Sequence, residues 1–248
     1  MTVTILTDII KKKNINVKTC YFYLTEQLVL DAIYKQSEEK KVISSQHSFS
    51  KGRLCLINLA AFYDLISGRL DAERAVDIVY LDFSKAFDTV SPNILIMKLR
   101  KHEIDEWMVR WVKNWLTGRV QRVVINGIES SWRPVTSSLP QGLVLDSVLF
   151  NIFIDDLDEW IVFTFNKFVD DTKVGGVANT PQGCANFQQD LDGLENWMEK
   201  NLKRFNKSKC IVLHLRRNDG TYQCHLQGND LLERSSAEKY LGALVDEY

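Results

Sequence analysis

Apolar and polar positions alternate along the chain with two different periods, one typical of helices and one typical of strands. Helical patterns or long apolar runs occur in six stretches, at residues 26–41, 54–65, 93–102, 106–116, 143–153 and about 181–204. Shorter apolar or β-branched runs predict strands at 76–83, 162–169, 173–177 and 209–215. Asn126-Gly127 predicts a hairpin turn between strands at 120–125 and 132–136, and a further hairpin is predicted toward the C-terminus. This mixed order predicts an α+β domain with helices packed on one face of an antiparallel sheet.

Composition is that of an ordinary globular protein, with 45% hydrophobic and 25% charged residues over 248 positions. That length allows one large domain or two small ones, and no stretch approaches the ~20 apolar residues of a membrane span. The N-terminal basic run follows a short apolar stretch, the reverse of a secretory signal, so secretion is not expected. The five scattered cysteines indicate reduced thiols. We therefore expect an intracellular protein, in the nucleus or the cytoplasm.

The net charge and the distribution of charge point in different directions on nucleic-acid binding. The net charge of −1 lacks the basic footprint that such proteins usually show. Basic residues nevertheless concentrate at 98–122, with seven basic and three acidic residues, and at 199–217, with seven basic and one acidic. Each segment has two interpretations, a solvated helix face or a set of phosphate contacts. Trp107, Trp111 and Trp115 lie four residues apart, which predicts the core-facing side of a helix rather than a base-stacking surface.

Acidic residues at two strand ends carry the candidate chemistry. Asp82 ends the most apolar strand, and Asp170 and Asp171 occupy the tip of the FVDDTK hairpin. If these strands are neighbours, Asp82 and Asp170 converge, and a pair of Mg²⁺ ions would relieve their repulsion while clamping both oxygens of a phosphoryl transfer. Successive strand residues point to opposite faces, so Asp171 is given a supporting role. The alternative is an ordinary Asp-rich turn. A second pair, Asp155-Asp156, is interpreted as a solvated helix end.

Five ordered segments resemble the reverse transcriptases of non-LTR (LINE-type) retroelements, particularly the CR1-like and jockey-like group. They are VYLDFSKAFDTVSPNILIMKLRK, SLPQGLVLDSVLFNIFIDDL, FVDDTK, LENWMEKNLKRFNKSKCIVLHL and KYLGALVDEY. Upstream, QHSFSKGRLCLINLAAFYD is similar to the fingers segment of the same family. The resemblance implies a truncated reverse transcriptase domain over 26–248, with partial fingers at 26–75, a split βαβ palm at 76–248 and a largely missing thumb. Residues 1–25 resemble no part of the family.

The resemblance also assigns a metal site and a nucleotide site to matching positions. Asp82 and Asp170, with Asp171 beside them, would bind two Mg²⁺ ions, for which Mn²⁺ could substitute. A segment after the first aspartate would pass under the incoming triphosphate, and it comprises Phe83, Ser84, Lys85, Ala86 and Phe87. The Phe87 ring would exclude a ribose 2′-hydroxyl by steric clash, which does not prevent it from also being a core residue.

Further matching positions complete the implied site. Pro140, Gln141 and Gly142 would form the floor under the nascent base pair, where glycine lets the backbone approach closely. Asn206 and Lys209 would lie near the pyrophosphate, where a lysine can act as general acid or as a point charge. A surface lysine is the alternative for Lys209. The implied partners are an RNA template, a DNA primer and deoxynucleoside triphosphates, and no protein partner is indicated.

Several residues depart from the family pattern Gly-Val-Pro-Gln-Gly-Ser-Val-Leu-Gly-Pro. This chain has Ser138 at the first position, Leu143 in place of the small serine, and Asp146-Ser147 in place of Gly-Pro. Extra bulk in a packed site commonly costs ~1–3 kcal/mol, and a buried unpaired Asp146 would be expensive. Ser48 replaces a fingers glycine, where a positive φ can be required. Three interpretations stay open: an RNA-directed DNA polymerase, an inert fold that binds nucleic acid through its basic segments, and a remnant without function.

Overall fold

A computed structural model of the chain describes residues 17–40, 55–140, 144–168, 171–177, 180–215, 225–226, 230–235, 237–240 and 243–246. The helices in these residues are α1 (Val17–Lys40), α2 (Cys55–Asp71), α3 (Pro92–Lys101), α4 (Glu106–Leu116), α5 (Val144–Phe153) and α6 (Pro181–Lys200). Short 3₁₀ turns lie at Asp155–Asp158 and Lys207–Lys209. No helix in this part of the chain is both long enough and apolar enough to cross a membrane.

Most of the strands are short, and five of them form one central sheet. In chain order the strands are β1 (Val76–Asp82), β2 (Val120–Gln121), β3 (Val124–Ile125), β4 (Ile128–Glu129), β5 (Arg133–Pro134), β6 (Thr164–Phe168), β7 (Asp171–Gly176), β8 (Ile211–Leu215), β9 (His225–Leu226), β10 (Asp230–Leu231), β11 (Glu233–Ser235), β12 (Ala237–Tyr240) and β13 (Ala243–Asp246). The central sheet has the order β11-β8-β1-β7-β6, and the remaining strands form two-stranded pairs. Neighbours in the central sheet are antiparallel, except that β11 runs parallel to β8.

Strand β1 is buried along its whole length because both faces of the sheet are covered. Val79 faces the larger apolar cluster, to which α3 to α6 contribute. Ile78 points to the opposite face and packs in a smaller cluster with Phe62 and Ile66 of α2. Gly175 of β7 permits this close approach, since a Cβ there would lie 2.9 Å from the Ile66 side chain. The central strand is thus held between two cores of unequal size.

The α+β prediction is confirmed, and two features of the sheet differ from it. Edge strand β11 is parallel to its neighbour, and α2 covers the second face, so helices are not restricted to one face. A strand with no polar face needs cover on both sides, which explains the position of α2. Helix α1 begins at Val17 rather than at 26, so it runs through the predicted boundary at residue 25, and the domain limits stay a prediction.

The hairpin turn at Asn126-Gly127 is confirmed. Both residues have positive φ angles, 50° and 80°, as a type I′ turn requires. The flanking strands are interrupted, so that β3 pairs with β4 next to the turn and β2 pairs with β5 at the base.

Candidate active site

Two acidic residues meet where β1 and β7 run side by side. In the antiparallel register of these strands, Asp82 is the direct Cα partner of Asp171. Directly opposed residues on neighbouring strands point to the same face, so the two side chains share the face that α2 covers further along β1. The Asp82 side chain is 8% exposed. The neighbouring Cys210 thiol is buried, and burial raises its pKa to about 11, so the thiol is uncharged at neutral pH. Asp170 lies outside the described residues.

The segment after α6 brings Lys209 against Asp82. Asn206 donates its backbone N–H to the Asp82 carbonyl at 2.8 Å, which lays this segment along the end of β1. The 3₁₀ turn that follows places Lys209 Nζ 3.3 Å from Asp82 Oδ2. The lysine side chain is 65% exposed, so the ion pair is screened by solvent and contributes at most about 1 kcal/mol. Such a lysine can turn from the carboxylate toward an incoming anion at little cost.

The residues after β1 form a turn of mixed exposure. Phe83 and Ala86 are 2% and 5% exposed, so they offer a ligand only their backbone. Ser84, Lys85 and Phe87 reach the surface. Lys85, within this turn, has a positive φ of 49°. Of the five predicted triphosphate-contacting positions, the structure therefore leaves three side chains accessible.

Phe87 is fixed from two sides. Its ring stacks on Phe150 of α5, with centroids 4.5 Å apart and planes inclined by 26°. Its carbonyl accepts a hydrogen bond from the Leu139 N–H at 3.0 Å. The ring remains half-buried, so it is both a core residue and a surface one, and its orientation depends on α5 and on the loop before Pro140.

The loop that leads to the predicted nucleotide floor contains a strained residue. Ser138, at the position where the resembled family has glycine, has a φ of 91°. Arg119 holds it there by donating from Nη2 to the Ser138 carbonyl at 2.6 Å. Pro140 follows and is partly exposed. Gln141 and Gly142 lie outside the described residues.

Charged side chains hold both ends of α5, and sequence reasoning did not find the roles of Glu26, Lys98 and Lys167. At the N-terminal end, the Glu26 carboxylate of α1 is 1% exposed and accepts a hydrogen bond from the Leu145 N–H at 3.0 Å. Asp146 is 6% exposed in the first turn, where the helix dipole stabilises a negative charge. Ser147 Oγ donates to Asp146 Oδ1 at 3.1 Å, so Asp146 is buried but has a hydrogen-bond partner. Leu143 and Ser48 lie outside the described residues.

Two buried lysines cap the C-terminal end of α5. Lys98 Nζ donates to the Phe153 carbonyl and to Asp156 Oδ1, both at 2.6 Å. Lys167 Nζ donates to the Asp155 carbonyl at 3.0 Å. Cations at this position satisfy free carbonyls and oppose the negative end of the helix dipole. The signal that could have identified them is the sequence around each lysine: Lys98 lies in the apolar run ILIMKL, and Lys167 lies in FNKF, within a predicted strand.

The interpretation of Asp155-Asp156 as a solvated helix end was wrong. Burial raises the pKa of Asp155 to about 6. Burial also opposes ionisation of Asp156, but hydrogen bonds from Lys98 and from the Trp197 indole outweigh it and hold the pKa of Asp156 below its ordinary value. These carboxylates belong to the charged cluster at the C-terminal end of α5, with Lys98 and Lys167, and not to the candidate site.

The structure favours a solvated face for the first basic segment, whose exposed cations are largely paired. Arg100 and Arg110 both contact Glu106, Lys101 contacts Glu159 and Arg122 contacts Glu129. In the second segment Lys203 is 4% exposed, which rules out a surface phosphate contact for it. Arg216 and Arg217 lie outside the described residues.

The prediction for the tryptophan stripe was wrong at one position. Trp107 is 55% exposed, whereas Trp111 and Trp115 are partly buried and stack on each other with centroids 5.8 Å apart. The buried face of α4 instead carries Met108, Val109, Val112 and Leu116. The apolar stripe is therefore rotated from the tryptophans toward the residues that follow them.

Solved structures that share this fold include telomerases. Telomerase from Candida tropicalis, truncated from its C-terminal domain, superposes with a TM-score of 0.61 at 10% identity, over 89% of this chain and 43% of that chain. Telomerase from Candida albicans, solved with a fragment of telomeric RNA, gives a TM-score of 0.61 at 13% identity, over 96% of this chain and 42% of that chain. The likeness identifies the fold as the reverse transcriptase type, with the sheet as its palm.

The chain belongs to the reverse transcriptase (RNA-dependent DNA polymerase) family, whose model matches residues 10–245. The RNA-directed DNA polymerase of the mobile element jockey from Drosophila melanogaster is 28% identical over 177 residues, which cover 67% of this chain and 19% of that protein. The Pol polyprotein of the type-1 retrotransposable element R2 from Popillia japonica is 30% identical over 102 residues, 41% of this chain and 17% of that protein. The matched part therefore spans about a fifth of the length of these relatives.

Proposed function

We propose that this chain is the catalytic core of an RNA-directed DNA polymerase that extends a primer 3′-hydroxyl with deoxynucleotides on an RNA template. The observation that carries the proposal is the juxtaposition of Asp82 with Asp171 across β1 and β7, with Lys209 Nζ 3.3 Å from Asp82. Jockey is named an RNA-directed DNA polymerase, and the Candida albicans telomerase was solved with RNA. Both support a nucleic-acid template and nucleotidyl transfer.

The donor set fits hard divalent cations, Mg²⁺ or Mn²⁺. Asp82 and Asp171 offer carboxylate oxygens on one face, and Mg²⁺ prefers a few carboxylates completed by water and substrate phosphates. Among the described residues no cluster of three ligand-type side chains occurs. We propose that Asp170, the ligand that the family resemblance pairs with Asp82, completes the set with Asp171 beside it. A bound pair of such ions supplies charge that activates the attacking hydroxyl and stabilises the leaving pyrophosphate.

The chain's own residues would orient the nucleotide and move a proton. Lys209 would turn from Asp82 to the pyrophosphate and neutralise it or protonate it. Ser84 and Lys85 would face the triphosphate, and the half-buried Phe87 ring would exclude a ribose 2′-hydroxyl. Pro140 would begin the floor under the base pair, which Gln141 and Gly142 would continue.

Primer extension on an RNA template, with Mg²⁺ and deoxynucleoside triphosphates, tests the proposal. Asp82→Asn is expected to reduce extension by about 10²-fold or more, since a single preorganised charged group at a reacting centre is commonly worth that much. Asp192→Asn changes an exposed carboxylate on α6 and is expected to leave the rate unchanged. Equal rates for wild type and Asp82→Asn would refute the proposed function, as would the absence of any extension by the wild-type chain.

A further inference from the structure

Lys203 is a buried lysine that the local backbone directs into the core. Leu202, which follows the C-cap residue of α6, has a positive φ of 56°. Its N–H donates to the Glu199 carbonyl at 3.1 Å, and the Lys203 N–H donates to the Met198 carbonyl at 2.8 Å. This pair of hydrogen bonds is the Schellman helix ending, in which the second residue after the C-cap folds back against the helix. That residue is normally apolar. Here it is a lysine with 4% exposure.

The Lys203 ammonium group bonds the turn that carries Phe87. Lys203 Nζ donates to the Ala86 carbonyl at 2.5 Å and to Thr89 Oγ1 at 3.0 Å, on either side of Phe87. It also lies 5.7 Å from the centroid of the Phe150 ring, on which Phe87 stacks. One side chain thus contacts both the backbone flanking Phe87 and the ring that supports it.

We propose that Lys203 is a positioning residue for nucleotide selection, which clamps the turn at 86–89 and thereby sets the position of the Phe87 ring against the sugar of the incoming nucleotide. The inference rests on the proposed polymerase function. Lys203 would affect sugar discrimination through the turn at 86–89, to which it is hydrogen-bonded, and would not contact the substrate itself.

The clamp does not require a charged lysine. Burial lowers the pKa of Lys203 to about 7, with Asp88 opposing this shift and Lys98 adding to it. A neutral amine still has two N–H groups, which match the two acceptors, Ala86 O and Thr89 Oγ1. Replacing the lysine by methionine removes both donors and also removes the cost of burying a charge. Loss of the clamp and loss of stability are therefore separable.

Two measurements on Lys203→Met test the clamp. The first is hydrogen exchange at the Thr89 and Val90 amides, which donate within the turn to the Lys85 and Phe87 carbonyls. We expect exchange to accelerate by about tenfold or more at these amides while the β1 and α5 amides and the urea midpoint hold or improve. The second is the ratio of kcat/KM for a deoxynucleotide to that for the matching ribonucleotide, which we expect to fall by about tenfold, mainly through KM.

Controls separate a positioning role from general destabilisation. Lys35→Met changes an exposed lysine on α1 and should alter neither readout, whereas Thr89→Val should shift both in the same direction as Lys203→Met, to a smaller extent. Thr89→Val also serves if Lys203→Met does not fold. If the wild-type chain extends no primer, the proposed function fails and the exchange measurement alone decides the clamp. Unchanged exchange at Thr89 and Val90, or an unchanged sugar ratio in an active enzyme, would overturn the inference.

Discussion

Ser138 occupies a backbone conformation that costs a non-glycine residue free energy. At a φ of 91° its Cβ crowds the backbone, a cost of about 1–2 kcal/mol that glycine does not incur. We expect Ser138→Gly to raise the free energy of unfolding by about 1 kcal/mol, less the contribution of the Ser138 Oγ hydrogen bond to the Leu139 carbonyl. Urea unfolding measures the change. Ser137→Gly, next to it but without a positive φ, should lower stability, and a loss of similar size in both variants would contradict the strain.

Asp155 makes stability depend on pH in the direction opposite to that of a salt-bridged carboxylate. Its folded pKa of about 6 exceeds the ordinary value of 3.8 because of burial, so the ionised form destabilises the fold. The penalty is fully present above about pH 6 and declines as the pH falls toward 4. We expect Asp155→Asn to stabilise the protein at pH 7.5 by up to about 3 kcal/mol, since one pKa unit corresponds to about 1.4 kcal/mol.

Urea midpoints at pH 7.5 and 4.5 test the sign of this dependence. The advantage of Asp155→Asn over wild type should shrink at the lower pH. Asp64→Asn, at an exposed position of α2, is the matched control for replacing a carboxylate that is not buried. A gain that grows on acidification would show that Asp155 is stabilised as the anion.

For single residues, the sequence predicted which side chains carry the candidate chemistry better than it predicted which side chains are buried. The approach of the Asp170-Asp171 hairpin tip to Asp82 could be predicted because each lies at the end of an apolar run. The pairing within that tip was predicted differently: strand alternation assigned the contact to Asp170, which lies outside the described residues, whereas the register places Asp171 opposite Asp82. Lys203 could not be predicted to be buried, because its direction depends on how α6 ends, and Leu202 is not a residue that usually adopts a positive φ. The number of basic residues in the segment 199–217 does not show which of them are exposed, and Lys203 is buried whereas Arg204 and Lys207 are exposed.

Helix α5 follows the predicted nucleotide floor in the chain and ends at the carbonyl that Lys98 contacts. Its first turn is held by the hydrogen bond from the Leu145 N–H to Glu26. Truncation of this cap in Glu26→Ala would leave the Leu145 N–H without its acceptor. We expect a loss of about 1–2 kcal/mol in the free energy of unfolding, as for other helix N-terminal caps. Glu26→Gln keeps a carbonyl oxygen at the same place and should lose less. Gln27→Ala, at an exposed position of α1, is the control, and equal losses in Glu26→Ala and Gln27→Ala would exclude a capping role.

Elements with a strong local period were predicted nearly to the residue, and those that depend on distant contacts were not. Helix α4 has the predicted bounds, and the hairpin turn lies at Asn126-Gly127 as predicted, because side-chain periodicity and turn chemistry are local. The parallel pairing of β11 with β8 and the cover of the second sheet face by α2 are not encoded in any one segment. They follow from which apolar surfaces remain after the local elements have formed.

At the scale of the whole molecule, the unequal cores predict unequal stability. Helices α3 to α6 contribute to the larger cluster, whereas α2 is held by the smaller one through Phe62 and Ile66. Regions with fewer buried contacts open at lower free energy than the rest of a domain. The α2 amides are therefore expected to exchange at least about tenfold faster than those of β1 and α5, with a lower opening free energy.

Phe62→Ala tests whether α2 opens as a unit of its own. The substitution is expected to speed exchange throughout α2, because loss of a buried phenylalanine costs about 3–5 kcal/mol, and to leave the slowest α5 amides nearly unchanged. Trp107→Ala, at an exposed position of α4, should affect neither helix. If Phe62→Ala accelerates α2 and α5 equally, the domain unfolds in one step. If α2 opens alone, the sheet face that carries Asp82 and Asp171 is bordered by a helix that is less stable than α5. A ligand bound on that face should then slow hydrogen exchange in α2 more than in α5.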